Sequence, residues 1–244
     1  MTFRLKITPL ITSRQALAAI PAGKRLINTI NAHSYNVAQS DAAFAEALLR
    51  GDHLTPDGAS IVKACRWLRA KCQPQERVSG WDLFTFEMAR LNERGGRCMF
   101  VGSSEEVLQK IRRRAAVDYP HITVITYSPP YKAEFTKEES DSIIAAVNHA
   151  QPDLLWIGMT APKQEKWTYQ HWKELDINCH VGTIGAVFDF FAGTARRAPR
   201  WWQEHSLEWL FRLMMEPRRV WRRYVIGNPL FAYYIIKEKY TSHD

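Results

Sequence analysis

Residues 153–165 read DLLWIGMTAPKQE, and this run decides the fold that the sequence predicts. Its first part predicts a strand at residues 153–157, because the short apolar segment 154–157 is typical of a strand buried on both faces of a parallel sheet. Gly158 ends the segment, and Pro162 stands where the first turn of a helix tolerates proline. The run therefore predicts a strand, a turn and a helix, which together are the repeating part of a βαβ unit.

The same alternation continues on both sides of this run. We predict further strands at residues 25–30, 97–101, 121–127 and 178–181, and helices at residues 35–49, 59–70 and 81–94. Residues 55–58 are expected in a loop, and Ser103-x-x-Glu106 and Thr136-x-x-Glu139 predict capping boxes that open two more helices. The fold class that follows is α/β, with an open, mostly parallel, doubly wound (Rossmann-like) sheet and helices on both faces.

From about residue 198 the pattern predicts helices only. The first of them carries an apolar stripe formed by Leu207, Leu210, Phe211 and Met214. Pro217 ends that helix, and a basic, aromatic helix follows it. We therefore divide the chain into an α/β core, residues 1–197, and an all-helical basic appendage, residues 198–244. Basic amphipathic segments of this kind lie on membrane surfaces rather than crossing them.

The net charge of the chain is +8, which predicts an anionic partner. From Arg196 onward there are ten Lys or Arg residues against five Asp or Glu residues, so the appendage is strongly basic. The same stretch is rich in large aromatic residues, among them Trp201, Trp202, Trp209, Trp221, Tyr224, Phe231, Tyr233, Tyr234 and Tyr240. Cations and aromatic rings together suit the interface of an anionic membrane.

The cellular location of the protein and the redox state of its cysteines are predicted from segments and motifs that the sequence lacks. No stretch approaches the ~20 apolar residues of a spanning helix, and the first residues lack the apolar segment of a secretion signal. We therefore expect a cytoplasmic protein that is peripheral on the inner face of the plasma membrane. The four cysteines form no CxxC pair, so we expect reduced, buried thiols and neither a zinc site nor a disulfide framework.

Two non-enzymatic functions are alternatives: the chain could be a basic nucleic-acid-binding protein or a non-catalytic membrane-associated scaffold. The sequence has no helix-turn-helix, RNP or zinc signature, which disfavours nucleic acid as the partner. It also lacks the GxGxxG and GxxxxGK[ST] loops and the GxSxG elbow, so dehydrogenase, P-loop and hydrolase functions lose their main support. In a doubly wound sheet, ligands bind at the carboxyl ends of the strands, so the polar residues at those ends are the candidate site.

Several motifs follow one another along residues 26–225, and together they resemble the WecG/TagA/CpsF family, glycosyltransferase family 26. They are Thr29-x-Asn31, Asp57-Gly58, the run 77–83 (RVSGWDL), the run 100–102 (FVG), Pro162-Lys163-Gln164-Glu165, the run 185–193 (GAVFDFFAG), the run 197–199 (RAP), the run 208–212 (EWLFR) and Glu216-Pro217-x-Arg219. Each motif is short, and it is the ordered set that identifies the family. Thr160 departs from the pattern, since a second glycine is more usual in that turn.

The resemblance implies an inverting, metal-independent transfer of a hexose, an N-acetylhexosamine or a uronate from a UDP-sugar to an undecaprenyl-diphosphate-linked acceptor. The product belongs to a bacterial cell-surface polysaccharide of the exopolysaccharide, teichoic acid or common-antigen type. The chain has no Asp-x-Asp pair to hold a metal against the donor diphosphate, which agrees with a reaction that needs neither a metal nor another cofactor. The expected partners are the donor, the lipid-linked saccharide and an anionic membrane, and a homo-oligomer is left open.

The reaction implied in this way needs a base and a set of cations. An acceptor hydroxyl must lose a proton as it attacks, and Asp57 is the candidate base, the alternative being a simple turn aspartate. Without a metal, arginines must neutralise the departing diphosphate. The expected ones are Arg212, Arg219 and Arg222, whose alternative role is to bind lipid headgroups.

The remaining candidates would contact the donor. Thr29, Asn31 and Gln164 are expected to hydrogen-bond its sugar and phosphates. Asp189 lies in a run of phenylalanines, where an unpaired carboxylate is costly to bury, so it is expected either to bind ligand or to cap a helix. Lys163 and Glu165 are read as ordinary residues of a first helical turn.

Overall fold

The computed structural model describes residues 3–199, 201–202 and 207–241. These residues form one six-stranded parallel sheet with the order β2-β1-β6-β5-β3-β4. The strands are β1 (Arg25–Ile30), β2 (His53–Pro56), β3 (Gly96–Gly102), β4 (Ile122–Tyr127), β5 (Leu154–Gly158) and β6 (His180–Thr183). The helices of the α/β part are α1 (Ala32–Ser40), α2 (Ala42–Arg50), α3 (Ala59–Leu68), α4 (Gly80–Arg94), α5 (Glu105–Asp118), α6 (Lys137–Ala150), α7 (Lys163–Gln170) and α8 (Gly185–Ala192). The predicted fold class is confirmed.

Helices cover both faces of the sheet because side chains alternate along each buried strand. On one face, Ile27, Phe100 and Trp156 pack with residues of α4, α5 and α8. On the other face, Val101 and Ile157 pack with residues of α6 and α7. Every residue of β5 is buried, as the apolar run at residues 154–157 predicts.

The structure corrects two predictions in the first βαβ unit. The single helix expected at residues 35–49 is two helices, because Asp41 has extended backbone and its side chain accepts a hydrogen bond from the amide of Phe44, capping α2. Residues 55–58, expected in a loop, begin within strand β2, which pairs with β1 at the sheet edge. A four-residue edge strand that ends in proline gives little periodicity to detect.

Helix starts and strand ends differ by one or two residues elsewhere. The capping box at Thr136 and Glu139 is confirmed. The box expected at Ser103 and Glu106 is wrong, since Ser104 is the N-cap and accepts a hydrogen bond from the amide of Val107. The strand expected at residues 178–181 is β6, and Pro162 caps α7 rather than lying within it.

After residue 199 the described segments are helical. They are α9 (Glu208–Met215), α10 (Pro217–Trp221), a π-helical turn (Arg222–Ile226) and α11 (Gly227–Tyr240). The predicted stripe on α9 is only partly covered: Leu210 and Phe211 are half-buried, while Met214 is 66% exposed. Pro217 begins α10, so the predicted end of the preceding helix is confirmed.

The last helix, α11, packs against the α/β part of the chain. Phe231 and Ile235 are buried in the same cluster as Tyr35 and Phe44, and the rings of Phe231 and Tyr35 meet edge to face at 5.3 Å. The buried carboxylate of Glu238 accepts hydrogen bonds from the Tyr35 hydroxyl at 2.6 Å and the Lys6 amide at 2.7 Å. The division at residue 197 stays a prediction, and α11 shares its core with the α/β part.

Within the described ranges, no helix is both long and apolar enough to cross a lipid bilayer.

Candidate active site

A cavity of about 620 Å³ lies at the carboxyl ends of the strands. After β1 the chain turns into α1, whose Tyr35 packs with Ile30, whereas after β6 it turns into α8, whose Phe188 packs in the cluster of Ile27. Because Ile27 and Ile30 point to opposite faces of the sheet, α1 and α8 leave the neighbouring strands β1 and β6 in opposite directions. This divergence opens the crevice in which ligands bind in doubly wound folds.

Five helices of the α/β part begin at the cavity wall. Residues from the first turns or N-caps of α1, α3, α4, α7 and α8 line the cavity, and examples are His33, Ala59, Gly80, Gln164 and Gly185. The first amides of a helix have no partner within the helix, and the helix dipole places positive potential at the same end. The cavity is therefore suited to an anionic ligand.

Most of the predicted site residues lie together in this wall. Thr29, Asn31, Asp57, Gln164, Asp189 and Arg212 all line the cavity. Arg222 does not line it: the residue is exposed and its guanidinium lies 5.5 Å from the ring centroid of Trp221. Arg219 belongs to α10, but its side chain lies outside the part of the chain that the structure describes.

Asp57 occupies a tight turn between β2 and α3. Its amide donates to the carbonyl of Ile30 at 2.8 Å, which fixes the turn against the end of β1. Burial raises the pKa of the Asp57 carboxyl, while the charge of Arg77 acts in the opposite direction. A carboxylate whose pKa is moved towards neutrality can accept a proton at working pH, as a general base must.

Among the described residues, five cationic side chains line the same cavity as Asp57, and only one of them, Arg212, was predicted from the sequence. The cavity wall contains Lys63, Arg77, Arg197, Arg212 and Arg223. Of these, Arg77 and Arg197 lie inside recognised motifs and could have been proposed from that position. Arg223 gave no signal apart from its basic neighbours. The charge of Arg223 helps to lower the pKa of His33 to about 4, an effect that burial dominates.

An ion pair joins the cation cluster to α9. The Arg77 guanidinium donates to the carboxylate of Glu208, and Arg197 lies 4.0 Å from the same carboxylate. Burial opposes ionisation of Arg77, but Glu208 and Asp57 outweigh it, and the pKa of Arg77 is raised. Arg197 also lies over the Trp81 ring, 5.2 Å from its centroid. Helix α9 is thus tied to the wall beside Asp57.

The predicted donor-binding side chains differ in their own hydrogen bonds. Asn31 caps α1, accepting from the amides of His33 and Ser34 at 3.0 and 3.1 Å. Gln164 is buried, accepts from the amide of Met159 at 3.3 Å and donates to Glu165 at 2.8 Å. Thr29 lies at the carboxyl end of β1 in the cavity wall. Asn31 and Gln164 are therefore held in fixed positions before any ligand binds.

Asp189 and Thr160 also line the cavity. Asp189 is half-buried within α8 rather than at its cap, and its Oδ1 accepts a hydrogen bond from the Thr194 hydroxyl at 3.3 Å. Thr160 has a φ of 73°, a left-handed conformation that glycine adopts at much lower cost. The glycine that is more usual in this turn has a structural reason, and threonine here adds a β-branched side chain to the cavity wall.

Glu165 is a further carboxyl group in the wall, and the sequence analysis predicts it to be an ordinary helix residue. It is 1% exposed, Oε1 accepts from Gln164, and Oε2 has no hydrogen-bond partner among the described residues. Burial raises the pKa of Glu165 to about 7.

No group of three or more His, Cys, Asp or Glu side chains that could hold a metal ion occurs in the described part of the chain. Metal independence stays a prediction, which chelation can test.

The sequence of this chain is similar to those of known proteins. Residues 4–244 match the model of the glycosyl transferase WecG/TagA/CpsF family. A relative from Bacillus subtilis (strain 168), an N-acetylglucosaminyldiphosphoundecaprenol N-acetyl-beta-D-mannosaminyltransferase, is 27% identical over 88% of this chain and 80% of its own length. A relative from Staphylococcus aureus (strain MW2) with the same name is 27% identical over 87% of this chain and 80% of its own length.

Proposed function

The chain belongs to the WecG/TagA/CpsF family of glycosyltransferases, and on that premise we propose that it moves a sugar from a UDP-sugar to a saccharide linked to undecaprenyl diphosphate. The transferred sugar in this proposal is an N-acetylhexosamine, and the acceptor begins with N-acetylglucosamine, because the relatives from Bacillus and Staphylococcus carry those groups in their names. The product would be an intermediate of a cell-surface polysaccharide.

One observation carries the proposal: a carboxylate, Asp57, lies in a cavity walled by five helix N-termini of the α/β part and by arginines from distant parts of the chain. The positive wall suits the diphosphate of the donor, whose negative charge grows as the bond to the sugar breaks. A group that stabilises the departing charge more than the bound substrate accelerates the transfer. Arg77, Arg197, Arg212 and Arg223 are the side chains that we assign to this role.

The proposed reaction is a single displacement. Asp57 takes the proton of an acceptor hydroxyl, whose oxygen forms a bond to the anomeric carbon of the donor sugar. The bond between that carbon and the diphosphate oxygen breaks, its electrons leave with UDP, and the configuration at carbon is inverted. Thr29, Asn31, Gln164 and Asp189 line the same cavity and would orient the donor.

We also propose that the part of the chain beyond residue 199 docks on an anionic membrane. Most of the exposed large apolar side chains of the described residues lie there, among them Trp221, Val225, Ile226, Tyr233 and Tyr240. Exposed patches of this kind mark interaction surfaces, and basic residues add about 1 kcal/mol each near anionic lipid. Docking would bring the cavity to its lipid-linked acceptor.

The direct test is a transfer assay with the purified full-length chain. It is mixed with UDP-N-acetylmannosamine or other UDP-N-acetylhexosamines and a short-chain lipid diphosphate that carries N-acetylglucosamine, and mass spectrometry detects a product heavier by one sugar residue. Excess EDTA should leave the initial rate unchanged within about twofold. A loss of rate that Mg²⁺ or Mn²⁺ restores would contradict the metal-free mechanism, and absence of product with every donor would contradict the proposed function.

A further inference from the structure

Glu165 is a buried ionisable group for which the proposed displacement has no use. Its side chain is 1% exposed and forms part of the cavity wall next to Gln164, at the start of α7. Oε1 accepts a hydrogen bond from Gln164 Nε2 at 2.8 Å, but Oε2 has no partner among the described residues. A buried, unpartnered carboxyl oxygen is rare and costly, and in a ligand cavity it indicates a contact that the ligand completes.

Charged groups of α7 and of the adjacent helix α2 have partners other than Glu165. Lys163 donates to the carbonyl of Lys132, Lys166 pairs with Asp41 of α2 at 3.0 Å, and Glu46 of α2 accepts from Tyr169. None of these groups is among the causes of the raised pKa of Glu165, which burial dominates. The carboxyl therefore gains a proton more readily than an exposed glutamate does.

The charges around Glu165 determine whether its ionised or its protonated carboxyl group can bind the ligand. The wall gathers helix N-termini and arginines, so the proposed ligand is a diphosphate. An ionised Glu165 would repel that diphosphate, whereas a protonated carboxyl offers it a hydrogen-bond donor.

We propose that Glu165 is a further donor-binding residue, which is protonated when the nucleotide diphosphate is bound and donates a hydrogen bond to it from Oε2. The inference rests on the proposed UDP-sugar donor. It predicts that binding of the nucleotide is linked to uptake of a proton, because the free carboxyl is partly ionised at neutral pH and the bound one is not. With a pKa of about 7 in the free protein, the affinity falls as pH rises.

The test measures UDP binding by calorimetry, since UDP carries the diphosphate common to all UDP-sugars. For the wild-type chain, the dissociation constant should become about tenfold weaker between pH 6 and pH 8, relative to the Glu165→Gln variant. Glutamine keeps a donor and cannot ionise, so the variant should bind with little dependence on pH. The terminal phosphate of UDP also titrates, but it does so equally with both proteins. Titrations at pH 8 in two buffers of different ionisation enthalpy should show uptake of at least about half a proton per UDP for the wild type.

Two further variants separate this role from a structural one. Glu105→Gln removes an exposed carboxylate from the first turn of α5 and should keep the wild-type pH dependence. Glu165→Ala removes the donor and should bind UDP about tenfold more weakly than Glu165→Gln at every pH. Asp57 also has a raised pKa, so an Asp57→Asn variant should keep most of the proton uptake if Glu165 is its source.

The outcomes distinguish a failure of the proposed role of Glu165 from a failure of the proposed function. Tight UDP binding by the wild type without proton uptake at pH 8 would overturn the role of Glu165 and leave the proposed function in place. An unchanged pH dependence in Glu165→Gln would do the same. No binding of UDP by the wild type at any pH would overturn the proposed function and this inference with it.

Discussion

At the scale of single residues, Asp57 is the side chain on which the proposed chemistry depends. Asp57→Asn should lower the rate of transfer by roughly 10²–10⁴-fold, the usual contribution of a general base. UDP binding should stay within about threefold of wild type, because the base acts on the acceptor and not on the nucleotide. Initial rates and calorimetric titration with UDP measure the two effects. A variant that keeps more than a tenth of the wild-type rate would show that Asp57 is not the base.

Arg222 and Arg223 are neighbours in sequence that the structure places differently. Arg223 lines the cavity and Arg222 does not, so Arg223→Ala should weaken UDP binding about 10- to 100-fold, the value of one charged hydrogen bond. Arg222→Ala should weaken it much less. The pair is its own control, since each variant removes one charge from the same helical turn. Equal losses of affinity would mean that net charge, rather than contact, attracts the nucleotide.

The sequence could not distinguish these two arginines for a geometric reason. The resemblance to the family, through the spacing of Arg212, Arg219 and Arg222, implied that these three residues lie at the diphosphate. Residues Arg222–Ile226 instead form a π-helical turn, which turns the side chains through smaller steps than an α-helix does. Arg77 and Glu208 are 131 positions apart, and only the fold brings them together.

At the scale of secondary-structure elements, long buried segments were predictable and short edge segments were not. Strand β1 was predicted without error and β3 and β5 within one residue, because a continuous apolar run bounded by turn residues has few other interpretations. Strand β2 was missed because it has four residues and ends in Pro56. The break between α1 and α2 was missed because Asp41 was read as an interior helix residue rather than a cap.

The two faces of α11 should respond differently to substitution. Phe231 is buried against Tyr35, so Phe231→Ala should reduce the free energy of unfolding by about 3–5 kcal/mol. Tyr233 on the same helix is 58% exposed, and Tyr233→Ala should change that free energy by less than about 0.5 kcal/mol. Chemical denaturation followed by circular dichroism measures both. If Phe231→Ala were as stable as wild type, α11 would not share the core.

The contacts of α11 also bear on the division of the chain. Deleting residues 199–244 would remove Phe231 and Ile235 from the core cluster and leave the buried Tyr35 hydroxyl without Glu238. We therefore expect the truncated chain to be less stable than the intact one. Loss of activity in such a truncation would not separate membrane docking from folding, and substitutions in the full-length chain are the sharper experiment.

At the scale of the whole molecule, the fold and the class of reaction were predictable while the closure of the site was not. Five of the six parallel strands and the family motifs follow from patterns that are local in the chain. The cavity needs α9 to bring Glu208 to Arg77 and the π-helical turn to bring Arg223 towards Asp57. These contacts join residues that are far apart in the chain, so no single segment of the sequence predicts them.

The proposed membrane docking concerns the molecule as a whole, and the chain offers a matched pair of variants to test it. Val225 and Tyr240 are 57% and 76% exposed beyond residue 199, whereas Val117 and Tyr131 are 78% and 105% exposed on the α/β part. Replacing Val225 and Tyr240 by serine should weaken binding to vesicles that contain anionic lipid by on the order of tenfold, because the apolar area that enters the interface is lost. Replacing Val117 and Tyr131 by serine removes the same side chains from the other region and should leave vesicle binding unchanged.

Two measurements on these variants test whether membrane binding and catalysis are linked. Vesicle flotation in low and high salt gives the affinity, which should fall as salt rises because Lys and Arg residues meet lipid phosphates. Transfer to an acceptor embedded in vesicles should fall with the affinity in the Val225 and Tyr240 variant, while transfer to a water-soluble short-chain acceptor should remain at the wild-type rate, since neither residue lines the cavity. Equal vesicle binding by both double variants would show that the exposed side chains beyond residue 199 do not form the docking surface. A parallel loss of rate on the soluble acceptor would instead show that these side chains hold the catalytic cavity together.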